Sequence, residues 1–353
     1  MTENIKKLEA LAQAKPRANL GFYPTPFYKL ENLSKELKIE LYIKRDDFSG
    51  MSLFGGNKIR KLEYLMGDAV AKGCDTVITY GATQSNHAMQ TATACRRLGL
   101  NPVLYLNAYV APDDNDIRSN MLLDRILGAE IHVIKSAPGE TEAQTEARCF
   151  EMGKAHAKKL EQEGHRCYDV PLGGASPVGS AAFAGGYGEM IAQSLKFGIL
   201  PEYVFSATGT GGTLGGMMAG HHILGDKAQL VGVAVSKKSP EYESHCAELC
   251  NASLAWLGSP VRIKADDFTI DRDHVGLGYE RPTEEASDAI RLLARTEGLM
   301  LDPVYTGKAF AGLLGWVRSG KIKPGSTVVF WHTGGATALF AEREIIGSVA
   351  QEK

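Results

Sequence analysis

Short β-branched runs recur along this chain, each followed by a longer stretch with helical periodicity, and that alternation limits the fold more than any other feature. Residues 76–80, 102–106, 130–134, 203–206, 230–235 and 327–331 read as buried strands, residues 41–43 are strand-like, and residues 85–98 and 283–297 are among the helical stretches. A strand joined by a helix to a parallel neighbour is buried on both faces, so it reads as a continuous apolar run. The pattern therefore predicts an α/β fold of parallel sheets covered by helices. With 353 residues, two domains are expected.

Glycine marks several strand-to-helix junctions: residues 81–86, 208–216 and 332–335. In open α/β sheets ligands bind outside the carboxyl ends of the strands, where such junctions lie. Glycines there admit close backbone approach and let amide N–H groups converge on an anion at a helix N-terminus. Lys plus Arg (39) nearly balances Asp plus Glu (41), and the net charge of -2 provides no electrostatic footprint for nucleic acid or an anionic membrane. No apolar run approaches the ~18 residues of a membrane span, and the N-terminal residues lead into a polar helical pattern instead of a signal sequence. The expectation is a cytoplasmic protein with reduced thiols, its six cysteines being scattered. His245-Cys246-x-x-x-Cys250 lacks a second ligand pair at zinc spacing, so no metal is expected.

Three segments could carry chemistry. Gly209, Thr210, Gly211, Gly212 and Thr213 follow a strand and open a helical pattern, as a phosphate cradle requires. The rival reading is a dinucleotide site of an oxidoreductase. Leu214 stands where that fingerprint wants Gly or Ala, and the next strand ends at Ser236 without the acidic residue that holds a ribose, which favours a lone phosphate. Lys58, after Gly55-Gly56-Asn57, reads alone as a solvated first-turn lysine. The glycines and Asn57 can instead aim its amine into a cleft, where apolar walls lower its basicity and let it condense with an aldehyde. Ser85 or Asn86 can cap the helix that begins there, while the remaining group and the exposed amides up to His87 suit a carboxylate. Tyr279 and Tyr305 sit beside turn residues, where tyrosine is commonly an amphipathic rim residue.

Together, Gly55-Gly56-Asn57-Lys58-x-Arg60-Lys61-Leu62-Glu63-Tyr64, Gln84-Ser85-Asn86-His87, the loop from Thr208 to Thr213, Asp302-Pro303-Val304-Tyr305-Thr306-Gly307-Lys308-Ala309 and His332-Thr333-Gly334-Gly335 resemble one family. It groups the pyridoxal-phosphate enzymes D-cysteine desulfhydrase and 1-aminocyclopropane-1-carboxylate (ACC) deaminase, and the similarity covers nearly the whole chain. The resemblance implies the fold of the tryptophan synthase β subunit, fold type II, with the cofactor between two parallel-sheet domains. It places a small domain, residues 61–165, within a large one made of residues 1–60 and 166–353. A homodimer is implied as well.

Carried over by position, Lys58 would bind pyridoxal phosphate as a Schiff base and move the substrate's α-proton. Asn57 would support the ring, Asn86 would bond its phenolic oxygen, Gly209, Thr210, Gly211, Gly212 and Thr213 would hold the phosphate, and Thr306 would face the pyridine nitrogen. Ser85, Asn86 and His87 would take the carboxylate of a small amino acid, flanked by Tyr279, Tyr305 and Thr333. The implied reaction is a β-elimination yielding pyruvate and ammonia. ACC deaminases resemble one another in carrying Glu and Leu where this chain has Thr306 and Thr333. The expectation is therefore D-cysteine desulfhydrase, a carbon–sulfur lyase releasing hydrogen sulfide. Arg281, beside Tyr279, would suit the sulfonate of L-cysteate as the alternative substrate. Met89 stands where relatives commonly have Arg, removing one polar support.

Overall fold

The computed structural model describes residues 1–50, 55–109, 117–281 and 283–341. Its strands are β1 (Phe27–Lys29), β2 (Glu40–Arg45), β3 (Thr76–Ala82), β4 (Asn101–Ala108), β5 (Glu130–Lys135), β6 (Cys167–Val170), β7 (Tyr203–Thr208), β8 (Gln229–Ala234), β9 (Thr269–Asp271) and β10 (Thr327–His332). The helices are α1 (Thr2–Gln13), α2 (Glu31–Leu37), α3 (Asn57–Ala71), α4 (Asn86–Leu98), α5 (Ser119–Ile126), α6 (Glu142–Gln162), α7 (Pro177–Lys196), α8 (Gly212–Leu224), α9 (Tyr242–Leu257), α10 (Glu284–Glu297), α11 (Thr306–Arg318) and α12 (Ala338–Ala341). Every run read as a strand in the sequence is one. Among the described residues no helix is long and apolar enough to cross a membrane.

The strands form two sheets. One has six strands in the order β1-β2-β10-β7-β8-β9, parallel except for β1, and the other has four parallel strands in the order β5-β4-β3-β6. The four-stranded sheet is built wholly from chain between β2 and β7. It runs past residue 165, because β6 hydrogen-bonds along β3 from Thr76 to Thr79.

Alternation along β10 shows why the large sheet needs helices on both sides. Val329 and Trp331 enter one core with Phe183 and Tyr187 of α7 and Met217 of α8, while Val328 and Phe330 enter the other with Leu293 of α10 and Phe310 and Leu313 of α11. The small sheet repeats the design. Leu104 and Leu106 of β4 pack with Ala88 and Ala92 of α4, and Val103 and Tyr105 face Cys149 of α6. Helix starts are chemically marked: Ser176 caps α7 at the Gly179 amide with Pro177 at the first position, and Thr283 caps α10 at the Ala286 amide. Helix α3 bridges the two sheets, its Ile59, Leu62 and Met66 packing with Val77 of β3 and Val170 of β6. All six cysteines are free thiols.

Candidate active site

The carboxyl ends of β3, β7 and β10 open onto one cleft of about 670 Å³ between the sheets. At the end of β7 the chain turns through Gly209, Thr210 and Gly211, and Gly211 has a φ of +84°, a left-handed value that favours glycine. No side chain caps α8, so the N–H groups of its first turn face the turn uncapped, as an anion site requires. Tyr242 holds the loop from behind. Its hydroxyl bonds Gly209 O at 2.9 Å and Thr208 Oγ1 at 2.7 Å, and Lys238 Nζ donates to the same carbonyl at 2.6 Å.

Lys61, one turn after Lys58 on α3, was not singled out from the sequence. Its side chain is fully buried, with Nζ donating to Gly173 O at 3.1 Å, and a Cβ on Gly212 would lie 2.9 Å from both Lys61 Nζ and Ser180 Oγ. Ser180 Oγ has no hydrogen-bond partner among the described residues. An amine and an idle hydroxyl thus stand directly against the uncapped turn. Burial, reinforced by the Lys58 amine, pulls the Lys61 amine well below the usual lysine range.

Lys58 enters from the first turn of α3, which is pinned by Asn57 N donating to Thr333 O at 3.0 Å and Asn57 Nδ2 to Thr213 Oγ1 at 2.9 Å. These two bonds join the end of β10, α3 and the anion loop. Lys58 makes no hydrogen bond or ion pair among the described residues, and desolvation lowers its amine to about 8. An amine that gives up its proton this readily, beside an anion cradle, suits an aldehyde carried on a phosphorylated cofactor.

At the end of β3, Ser85 caps α4 by accepting from Ala88 N at 3.2 Å, which leaves its hydroxyl hydrogen available. Asn86 Oδ1 accepts from Asn120 Nδ2 at 2.9 Å and Thr337 Oγ1 at 3.0 Å, so its amide nitrogen is the part left to donate to a ligand. His87 is fixed by Thr79. The Thr79 hydroxyl donates its one hydrogen to Val170 O at 2.9 Å, so its contact with His87 Nε2, also 2.9 Å, makes Nε2 the protonated nitrogen. The buried Nδ1 is then an acceptor, without a partner among the described residues. Burial first, then the Lys58 and Lys61 charges, hold His87 well below its ordinary range, so it is neutral.

Tyr279 and Tyr305 share a hydrogen bond between their hydroxyls, and burial raises both phenols. The turn carrying Tyr279 is fastened by Lys308 Nζ, which donates to Val275 O at 2.9 Å and Gly278 O at 2.8 Å. Tyr109, edge-on to Tyr279, donates to Glu146 Oε2 at 2.9 Å and adds the small-sheet wall. Asn57, Lys58, Ser85, Asn86, His87, Gly209, Thr210, Gly211, Thr213, Tyr279, Tyr305 and Thr333 all line the cleft, as does Arg281.

Two of the candidates do not line it. Gly212 contributes from the start of α8, behind the surface. Thr306 departs from expectation: it is fully buried, its hydroxyl donates to Asp302 Oδ1 at 2.6 Å and accepts from Asp302 N at 2.8 Å, so its one hydrogen is not available to a ring nitrogen. Asp302 Oδ1 also accepts the Thr306 amide, and Oδ2 the Val304 and Tyr305 amides, each at 2.8 Å. The carboxylate caps α11, and the threonine is held within that cap. Met89 is buried in α4.

A family model described as pyridoxal-phosphate dependent enzyme matches residues 18–334. A Pyrococcus abyssi protein provisionally named 1-aminocyclopropane-1-carboxylate deaminase is 37% identical over 334 residues, covering 95% of this chain and 96% of the relative. D-cysteine desulfhydrase of Klebsiella pneumoniae is 37% identical over 329 residues, 92% of this chain and 96% of that enzyme. A crystal structure of an ACC deaminase homologue superposes with a TM-score of 0.86 at 37% identity, covering 97% of this chain and 98% of the other.

Proposed function

The chain belongs to the pyridoxal-phosphate-dependent enzymes of fold type II, within the group of ACC deaminases and D-cysteine desulfhydrases, and from that premise we propose that it eliminates the β-substituent of a small amino acid, D-cysteine first. The products are pyruvate, ammonia and hydrogen sulfide. One observation carries this reading: the carboxylate hydrogen-bonded to Thr306, Asp302, is fully buried with both oxygens occupied at the start of α11. Asp302 is therefore not free to stabilise the more extended carbanion that opening a cyclopropane demands, and Thr306 carries no charge to do so, whereas β-elimination needs only a leaving group and a proton donor.

Lys58 would hold the cofactor, the α8 N-terminus with Thr210, Thr213 and Lys61 its phosphate, and Asn57 and Asn86 its ring. When bound, the cofactor withdraws electrons from the substrate Cα. Ser85, the Asn86 amide nitrogen and the His87 amide bind the substrate carboxylate at the start of α4. The Lys58 amine, held at about 8, takes up the α-proton and gives it back at neutral pH. Tyr279 and Tyr305, raised by burial, stay protonated, so one phenol can donate to the departing sulfur while its neighbour holds it in place.

Arg281 at the cleft favours a second reading, L-cysteate with sulfite leaving. Identification of the 2-oxo acid released from D-cysteine, L-cysteate and ACC, with sulfide and sulfite measured in parallel, tests both. Equal amounts of pyruvate and sulfide from D-cysteine, and none from L-cysteate, are expected. Preference for L-cysteate would replace the substrate assignment, and 2-oxobutyrate from ACC would overturn the β-elimination reading. The proposal extends to a cytoplasmic homodimer, for which light scattering should give twice the 38.1 kDa chain mass. It also treats the four-stranded sheet as an inserted unit beginning near residue 61 and ending at Val170, because β6 belongs to that sheet.

A further inference from the structure

Glu130 and His132 stand two residues apart on β5, the edge strand of the four-stranded sheet, so their side chains leave the same face. Helix α6 packs on that sheet and brings His156 to them. One potential ligand atom from each of the three lies within 4.8 Å of the other two. Glu130 Oε1 is 2.7 Å from His132 Nε2 and 3.6 Å from His156 Nε2.

The two rings are held in place by stacking. His132 lies nearly flat on Tyr105, with centroids 4.5 Å apart at 13°, and meets His156 edge-on at 5.3 Å and 81°. His156 is mostly buried, with 16% of its side chain exposed, yet neither nitrogen is hydrogen-bonded. Nδ1 has no partner among the described residues, and Nε2 is too far from Glu130 Oε1 for a hydrogen bond. Nε2 thus stands beside a carboxylate without a hydrogen bond to it, as a ring that shares a metal with that carboxylate would.

We infer that Glu130, His132 and His156 form a site for a divalent transition metal of the zinc class. Two imidazoles and one carboxylate are borderline donors that suit zinc, and tetrahedral bonds of ~2.1 Å set ligand atoms about 3.4 Å apart. The observed 2.7 and 3.6 Å bracket that spacing for the two Glu130 pairs, and with the third pair within 4.8 Å, modest side-chain shifts complete it. Glu130 and His132 are 50% and 35% exposed, which leaves a fourth position for water. The metal would tie the edge strand to α6. The opposite end of α6 presents Glu142 and Glu146 to the cleft, Glu146 lying about 15 Å from His156 along the helix axis. The site is separate from the cofactor residues and does not depend on the reaction proposed above.

The test is calorimetric titration of the chelator-treated, cofactor-loaded full chain with zinc chloride. One equivalent binding at micromolar concentration is expected, weakened about 100-fold or more in His156→Ala and in His132→Ala. Glu130→Gln, at an exposed position, should weaken binding at least about tenfold with unchanged thermal unfolding of the metal-free chain, which separates loss of a ligand from loss of fold. Cys246→Ser should leave the titration unchanged. Absence of stoichiometric zinc binding by the parent chain, or binding undiminished in His156→Ala and Glu130→Gln, would overturn the site.

Discussion

Replacing Gly216 by alanine tests whether the anion cradle is positioned by the contact between α7 and α8. A Cβ at Gly216 would stand 1.9 Å from Ser180 O and 2.6 Å from Phe183 Cβ, both on α7. That is about 1.5 Å short of ordinary contact, and a backbone carbonyl cannot swing aside as a side-chain tip can. The helix must therefore shift bodily. Overpacking of this kind costs about 1–3 kcal/mol or more, against about 1 kcal/mol gained in helix propensity. The neighbouring Gly215→Ala has the same propensity gain without the clash, since its Cβ would meet Cys246 O at 3.5 Å. The shared propensity gain cancels, so the two variants should differ by the overpacking cost, about 1–3 kcal/mol or more, Gly216→Ala unfolding at lower temperature than Gly215→Ala, which should unfold at or above the parent temperature. Gly216 lies four residues, about 6 Å, beyond the first residue of α8, so a shift reaches the cradle with little loss. Each 1.4 kcal/mol that reaches it appears as tenfold weaker cofactor binding. Equilibrium dialysis of pyridoxal phosphate, read by visible absorbance, should show at least a tenfold loss for Gly216→Ala and none for Gly215→Ala. Equal affinities, or greater damage from Gly215→Ala, would refute the reasoning.

Only the neutral amine of Lys58 attacks an aldehyde, so with the amine held at about 8 the rate of cofactor attachment to the cofactor-free chain should rise from neutrality to about pH 8 and then level. Stopped-flow absorbance measures it, and a rise continuing to the ordinary 10.5 would contradict the burial effect. Lys308→Met removes both donors that fasten the Tyr279 turn, and should raise KM for the amino acid about tenfold while the bound cofactor's absorbance is retained. An unchanged KM would detach Tyr279 from the substrate. Thr79→Val removes the acceptor that keeps the proton on His87 Nε2, so nitrogen-15 chemical shifts should report a change of His87 tautomer. An unchanged tautomer would mean that something other than Thr79 sets it.

How legible the molecule was in its sequence depended on burial. Strands such as β10 and β3, covered on both faces, need continuous apolar runs and are readable from them. The strands not anticipated, β1, β6 and β9, are short edge strands with mixed exposure, and they take their form from pairing with a neighbour more than from local pattern. In the site, Lys58 was legible because two glycines and Asn57 make an unusual helix entry. Lys61 was hidden because a helical lysine is ordinarily solvated, and only its one-turn spacing from Lys58 hinted at a shared face. The resemblance placed Thr306 at the ring nitrogen, and nothing in the sequence showed that Asp302 would take up its hydroxyl in the cap. The Thr79–His87 pair joins a strand to a helix through side chains whose meeting no local periodicity records.

The central claim, that Lys58 carries the cofactor, has a direct chemical readout. Borohydride reduction of the cofactor-loaded protein, followed by proteolysis and mass spectrometry, should find one pyridoxyl group per chain, on Lys58. Modification of Lys61, Lys238 or Lys308 in its place, or no covalent product at all, would contradict the account.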